Sequence, residues 1–224
     1  MAQGADHVVD LRAPENRFKV LPVEGAPVRE WGDENLMLAH GEGNEAAFAE
    51  LLRRHQKGIL NYIFRMVQNR HVAEELTQEV FMALVKNAGR YEPRAKFTTY
   101  LYTIASNIVA KEWSRQKRRP RLFNLTQFWN RDRDEEVDPL EQFSDERADV
   151  TRAFERGEVS EAVNTALQQL PEHQREAFVL RRFQDLSYQE IAEIAGVPVG
   201  TVKSRVVRAE RALRPHLEQY REYV

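Results

Sequence analysis

DLSYQEIAEIAGVPVGTVKSRVVRAERAL, residues 185–213, reads as two short helices meeting at a tight corner. Ser187 can accept from the backbone N–H three residues on while Glu190 reaches back, a Ser-x-x-Glu capping box that opens the first helix. Ile191, Ala192, Ile194 and Ala195 supply its buried side. Gly196 suits the left-handed conformation that ends a helix and Pro198 suits the start of the next, so the corner has a mechanism at each end. In the second helix Val199, Val202, Val206, Ala209 and Leu213 recur at alternating spacings of three and four and form one apolar stripe. Ser204, Val207, Arg208 and Arg211 point away from it. A solvated surface helix mixes Glu with its Lys and Arg, whereas Lys203, Arg205, Arg208 and Arg211 are opposed here only by Glu210. Gly200 near the start lets backbone approach a partner closely. The pattern is that of a helix-turn-helix whose second helix lies in a DNA major groove.

Outward from this stretch, the chain has 224 residues, with 33 Lys and Arg against 35 Asp and Glu for a net charge of −2. Near-neutrality excludes a generally basic nucleic-acid coat, so DNA affinity must come from local patches. The chain contains no cysteine, which excludes disulfides and thiolate metal sites and is compatible with a cytoplasmic location. No signal-like start is present. The longest uncharged run, Phe97 to Ala110, is too short and too rich in hydroxyls to span a bilayer, so no membrane insertion is expected. The six histidines are dispersed, and no Walker loop, His-Glu-x-x-His or Glu-x-x-His pattern is present. No metal, no cofactor and no enzymatic activity are therefore expected.

Residues 1–30 carry Pro14, Pro22 and Pro27 without sustained periodicity and are expected to be a mobile arm; Phe18 to Val23 is a weaker strand candidate. Asp33 is placed to cap a helix to His40, and Asn44 caps a long helix with Ala47, Phe48, Leu51, Leu52, His55, Ile59, Tyr62, Ile63 and Met66 inward. In the next helix, Ala73, Leu76, Val80, Ala83 and Leu84 face inward, while Phe81 and Val85 fall beside Glu74, Glu75 and Gln78. Such a face is either core of a thicker domain or a protein-binding patch. Past a polar loop, GRYEPRAK, a helix spans about Phe97 to Arg118 with Phe97, Tyr100, Leu101, Ile104 and Ile108 inward. Its opposite side carries Thr99, Thr103, Ser106, Ala110 and Ser114 with Asn107 on the flank. Short hydroxyls suit either close helix packing or hydrogen-bonding base edges. The cations that follow, Lys111, Arg115, Lys117, Arg118, Arg119 and Arg121, with Tyr91, Tyr102 and Trp113 nearby, favour phosphates and stacked unpaired bases.

Between Pro120 and about Arg156 acids accumulate from Asp132 to Asp149, the composition of a flexible linker. A second block begins near Val159, with Val163, Ala166, Leu167 and Leu170 as its first stripe and Pro171 opening another helix. The expected class is all-α: two small helical domains joined by an acidic flexible linker, divided as 1–30, 31–119, 120–156 and 157–224. The acid run is also placed to compete with DNA phosphates at both basic patches, nothing in the sequence holding the blocks apart.

The segments AEELTQEVFMAL (73–84), FTTYLYTIASN (97–107) with its basic tail, and YQEIAEIAGVPVGTVKSRVVRA (188–209) together resemble a bacterial sigma factor of the extracytoplasmic-function group. The resemblance spans about residues 33 to 215, with several motifs in order. It implies an initiation subunit whose first domain (region 2) binds core RNA polymerase and melts the minus-ten element of promoter DNA, and whose second (region 4) reads the minus-thirty-five element. It places polymerase binding on Glu75, Gln78, Glu79, Phe81 and Val85. It places minus-ten contacts on Tyr100, Thr103, Asn107, Lys111, Arg115, Arg118 and Arg119, and minus-thirty-five contacts on Thr201, Lys203, Ser204, Arg208 and Arg211. The family usually has Trp where this chain has Tyr100, which changes the pocket beside that ring. An anti-sigma protein is a further partner that the resemblance implies, and the acidic linker resembles the segment that threads toward the polymerase active site. The competing reading is a one- or two-component DNA-binding regulator with an N-terminal sensing domain. It accounts for the second block but not for a basic, aromatic-bearing helix in the first.

Overall fold

The computed structural model describes residues 27–118 and 161–218. The expectations for residues 1–26 of the N-terminal arm, the strand candidate, Arg119 and the acidic linker lie outside the described residues, but the end of the expected arm is corrected: Val28–Glu30 form a 3-10 turn, and the Arg29 carbonyl accepts from Arg54 at 2.6 Å. Every regular element described is helical, as expected. After a 3-10 turn at Val28–Glu30 come α1 (Asp33–Gly41), α2 (Glu45–Val67) and α3 (Arg70–Asn87). A second 3-10 turn at Ala88–Arg90 precedes α4 (Phe97–Arg118). The second block holds α5, described over 161–168, then α6 (Glu172–Arg182), α7 (Tyr188–Ala195) and α8 (Val199–Leu217).

Local chemistry sets the boundaries. The Asn44 side chain accepts from the Ala47 N–H at 3.0 Å and opens α2. The Asn69 side chain accepts from Val72 at 2.9 Å and opens α3. Asp33 does not cap α1 as expected; the cap position is Gly32, without a side-chain bond. The Asp33 carboxylate is instead drawn to α2, bonding Arg54 at 2.7 Å and His55 at 2.8 Å. Burial pushes its pKa up, but hydrogen bonds from His55 and Arg54 outweigh that and hold it below the usual value. Glu34 accepts from the Phe97 N–H at 2.8 Å, so α1 also caps α4.

Leu36 and Met37 of α1, Leu51, Ile59, Tyr62 and Ile63 of α2, Val80 and Leu84 of α3, and Phe97, Leu101 and Val109 of α4 fill the first core. In the second block Leu167, Leu180, Ile191, Val202, Val206 and Leu213 do the same. The blocks are not independent. Tyr62 and Ser106 both donate to the buried Glu176 carboxylate, the Tyr62 bond at 3.3 Å. Arg175 donates to the Met66 carbonyl at 2.7 Å and also holds the carbonyls of Gln168 and Leu170 at the end of α5. Burial lowers the Arg175 pKa from its ordinary value. Arg65 stacks over the Phe183 ring at 4.1 Å, and Lys117 pairs with Glu172 at 2.8 Å.

This docking corrects the expected solvent face of α4. Of the two accounts of its hydroxyls, close packing applies to Ser106, which is spent on Glu176, and to Thr99, which is buried. Tyr102 and Trp113, expected near unpaired bases, are buried as well, and the Tyr102 hydroxyl donates to Gln184.

Candidate functional site: three outward surfaces

On α3, Glu75, Gln78 and Glu79 are exposed, and Met82 (55%) and Val85 (40%) are exposed apolar groups beside them. Phe81, expected outward, is 6% exposed. Its ring meets Phe48 edge-on at 6.5 Å, so it supports this face from beneath. The face continues into a groove of about 290 Å³ lined by Glu79, Met82, Ala83, Lys86, Asn87, Ile104, Asn107 and Ile108. Asn107 therefore lies with this face and not with Tyr100. Lys111 leans onto it, pairing with Glu79 at 3.5 Å.

A larger groove of about 540 Å³ lies between the loop after α3 and the start of α4. Arg90, Tyr91, Glu92, Arg94, Ala95, Thr99, Tyr100 and Thr103 line it together with Asn87 and, from the second block, Glu193. Tyr91 and Tyr100 meet at 5.1 Å, tilted by 49°. The hydroxyls of Tyr91 and Thr99 are buried at this wall without a partner, and Thr103 donates back to the Thr99 carbonyl at 2.7 Å. Burial, with Glu34 nearby, pushes the Tyr91 phenol above its ordinary range, so it is a proton donor. The groove thus combines an aromatic wall with the cations Arg90 and Arg94, a set suited to an unpaired base and its phosphates. Glu92 engages Arg94 at 2.6 Å. Arg115 and Arg118 are exposed farther along α4, Arg115 pairing with Glu112 at 2.7 Å.

The third surface is α8. Ser187 and Glu190 form both halves of the expected capping box, and Gly196 takes φ 62° at the corner. Val202, Val206, Ala209 and Leu213 are buried, whereas Lys203, Val207, Arg208 and Arg211 are exposed. Glu210, the lone acid, is engaged by Arg182 at 2.5 Å, so the outward face stays cationic. Lys203 extends over the Tyr188 ring at 5.8 Å. Thr201 and Ser204 are half-buried, and the Ser204 hydroxyl donates to the Thr201 carbonyl at 2.8 Å.

Sequence reasoning missed Met82, though its spacing of three from Glu79 and four from Gln78 marks it. It also missed Arg90 and Arg94 as individual groove residues, having named only their loop. Glu193 at the groove rim had no sequence signal, because only the docking brings it there.

Two family models match, both describing initiation factors of RNA polymerase: Sigma-70 region 2 over residues 51–119 and Sigma-70 region 4 over residues 160–213. The chain belongs to the sigma-70 family, in its extracytoplasmic-function group, and directs promoter-specific transcription initiation. It is 34% identical over 196 residues to the RNA polymerase sigma-H factor of Pseudomonas aeruginosa, covering 84% of this chain and 96% of that one. It is 32% identical over 182 residues to the ECF sigma factor SigW of Bacillus subtilis, covering 79% and 91%. Among solved structures, CnrH in complex with the cytosolic domain of CnrY aligns with a TM-score of 0.56 at 21% identity, over 84% of this chain and 97% of that one. The sigma factor RpoE in complex with the anti-sigma factor NepR from Bartonella quintana aligns at 0.54 and 22% identity, over 76% and 96%. These two likenesses establish the fold.

Proposed function

We propose that the three surfaces divide the work of initiation. The exposed face of α3, with Glu75, Gln78, Glu79, Met82 and Val85, docks core polymerase: apolar groups ringed by carboxylates and amide suit a protein partner better than DNA. The groove beside Tyr100 takes an unpaired base of the minus-ten strand, Arg90 and Arg94 holding its phosphates. A Tyr in place of the family's usual Trp leaves more room and adds a hydroxyl at that wall. Asn107 contacts DNA only where the strand runs past the smaller groove. On α8, Lys203 and Arg208 reach base edges of the minus-thirty-five element, with Thr201, Ser204 and Arg211 on its backbone.

The observation that carries this division is the cationic α8 face, cleared of its one acid by the Arg182–Glu210 pair, on the same chain as an aromatic-walled groove. The chain itself catalyses no reaction; phosphoryl transfer belongs to the polymerase. Residues from the Val28–Glu30 turn to 119 and residues 157–224 are the working domains, with 120–156 as the connecting linker. Among the described residues no helix is long and apolar enough to cross a membrane. A factor that works on polymerase and promoter acts in the cytoplasm, and an anti-sigma protein is a further partner expected by likeness to the RpoE–NepR pair.

The test is transcription from a genomic fragment library by core polymerase with and without the protein, followed by variants on the promoters found. Arg208→Ala should cost about 1–3 kcal/mol and relax preference at one minus-thirty-five position. Tyr100→Ala should reduce activity even on pre-melted templates. Uniform weakening on all sequences would make Arg208 a phosphate contact, and full activity of Tyr100→Ala would remove the base-capture role.

A further inference from the structure

Val207 is the most exposed large apolar side chain among the described residues, at 59%, and it stands on the cationic face of α8. Its neighbours one helical turn away are Lys203, Ser204, Glu210 and Arg211, all polar, so none of them extends it into an apolar patch of the kind that docks a protein. Three of the four turn back toward the protein. Lys203 extends over the Tyr188 ring at 5.8 Å, the Ser204 hydroxyl donates to the Thr201 carbonyl at 2.8 Å, and Glu210 is held by Arg182 at 2.5 Å. The methyls of Val207 are left projecting. Helix stability does not call for them, since a β-branched residue is a poorer helix former than Ala, Lys or Arg at an exposed position.

Valine has neither donor nor acceptor, so it can hold no phosphate and bond no base heteroatom. In a major groove the apolar feature that distinguishes one base pair from another is the C5 methyl of thymine. In a helix Val keeps one χ1 rotamer about 90% of the time, so its two methyls are presented in a set direction. We propose that Val207 is a specificity-determining residue for the minus-thirty-five element, packing on the C5 methyl of one thymine between the base edges taken by Lys203 and Arg208. This rests on the reading of α8 given above. It adds a second kind of selection to it: Lys203 and Arg208 choose by hydrogen-bond acceptors, whereas Val207 chooses by a methyl group. Thymine is thereby favoured over cytosine, which presents an N4 donor and no methyl.

Holoenzyme assembled from core polymerase and the full chain tests this on a promoter found by the transcription experiment. Each thymine of the minus-thirty-five element, on either strand, is replaced in turn by uracil, which keeps the pairing and the O4 acceptor but lacks the methyl. Affinity is read by competition against the unaltered duplex. One replacement should weaken binding about fourfold, the effect of removing one buried methyl. With Val207→Ala that loss should vanish, the thymine and uracil duplexes binding within about 1.5-fold of each other, whereas with Arg208→Ala it should persist. The site is exposed and Ala favours a helix, so Val207→Ala keeps its fold, which thermal melting checks. Cytosine and then 5-methylcytosine at the same position give a second readout: the added methyl should recover binding by the unaltered chain and not by Val207→Ala. The proposal is overturned if no uracil replacement weakens the unaltered chain, or if Val207→Ala keeps the full difference. If Arg208→Ala still relaxes preference at its own base pair in those cases, the reading of α8 stands and only the role of Val207 is lost. If none of Lys203→Ala, Val207→Ala and Arg208→Ala alters preference within the element, the reading of α8 is lost and the proposal with it.

Discussion

At Phe81 the ring packs on Phe48 and is 6% exposed, while Met82, its neighbour in the chain, is 55% exposed. Replacing Met82 and Val85 by Ser should therefore abolish pull-down of core polymerase and leave the melting temperature nearly unchanged. Phe81→Ala should cost about 3–5 kcal/mol of stability, measured by denaturant unfolding. A large loss of stability in the Met82 and Val85 variant would show that this face is core. The angles explain why Phe81 was hard to place. At roughly 100° per residue it lies about 40° from buried Thr77, on the boundary between faces, and a boundary ring turns inward when another ring awaits it. Val85 lies nearer the outer face and stays exposed. At Glu50, hydrogen bonds from Arg53 and Arg54 lower the carboxyl pKa from 4.5 to about 2. A depressed carboxyl pKa contributes stability above the unfolded value and loses it as pH falls through the folded one. The advantage of the unaltered chain over Glu50→Gln in thermal melts should thus be full near neutrality and shrink between pH 4.5 and about 2.

Among the elements, α7 and α8 were the most legible, since cap, corner and stripe are all local. Ser187 accepts from Glu190 N–H at 3.2 Å and the Glu190 carboxylate answers at 2.8 Å, both encoded within four residues. Ser187→Ala should cost about 1 kcal/mol of stability and weaken minus-thirty-five binding only through that loss, checked by comparing affinity at temperatures well below each melting point. The start of α2 was legible for the same reason, Asn44 capping it locally, whereas the first turn of α4 is capped by Glu34 from α1. The face of α4 was not. Its hydroxyl stripe permits two environments, and which one each residue meets depends on α6, far away in sequence. Asp33 shows the same limit, its capping chemistry being outbid by Arg54 and His55 from another helix.

For the whole molecule, the all-helical class and the exposed cationic face of α8 follow from periodicity, but the contact between blocks does not. Its buried polar bonds come from isolated residues, Glu176, Arg175 and Gln184, whose spacing carries no pattern. Arg175 bonds carbonyls in both blocks, those of Met66 and Leu170 part-buried, so Arg175→Met should cost about 1–3 kcal/mol in all. Calorimetry should show one transition for the unaltered chain and two for this variant; a single unchanged transition would mean that Arg175 does not couple the blocks. The two grooves of the first block meet at one residue. Asn87 lines both, its side chain donating to the Ala83 carbonyl at 2.7 Å. In genetic terms that makes Asn87 pleiotropic. A selection for alleles that fail to associate with polymerase and a separate selection for alleles that fail at promoter opening would each return it, whereas Met82 would emerge only from the first and Thr103 only from the second.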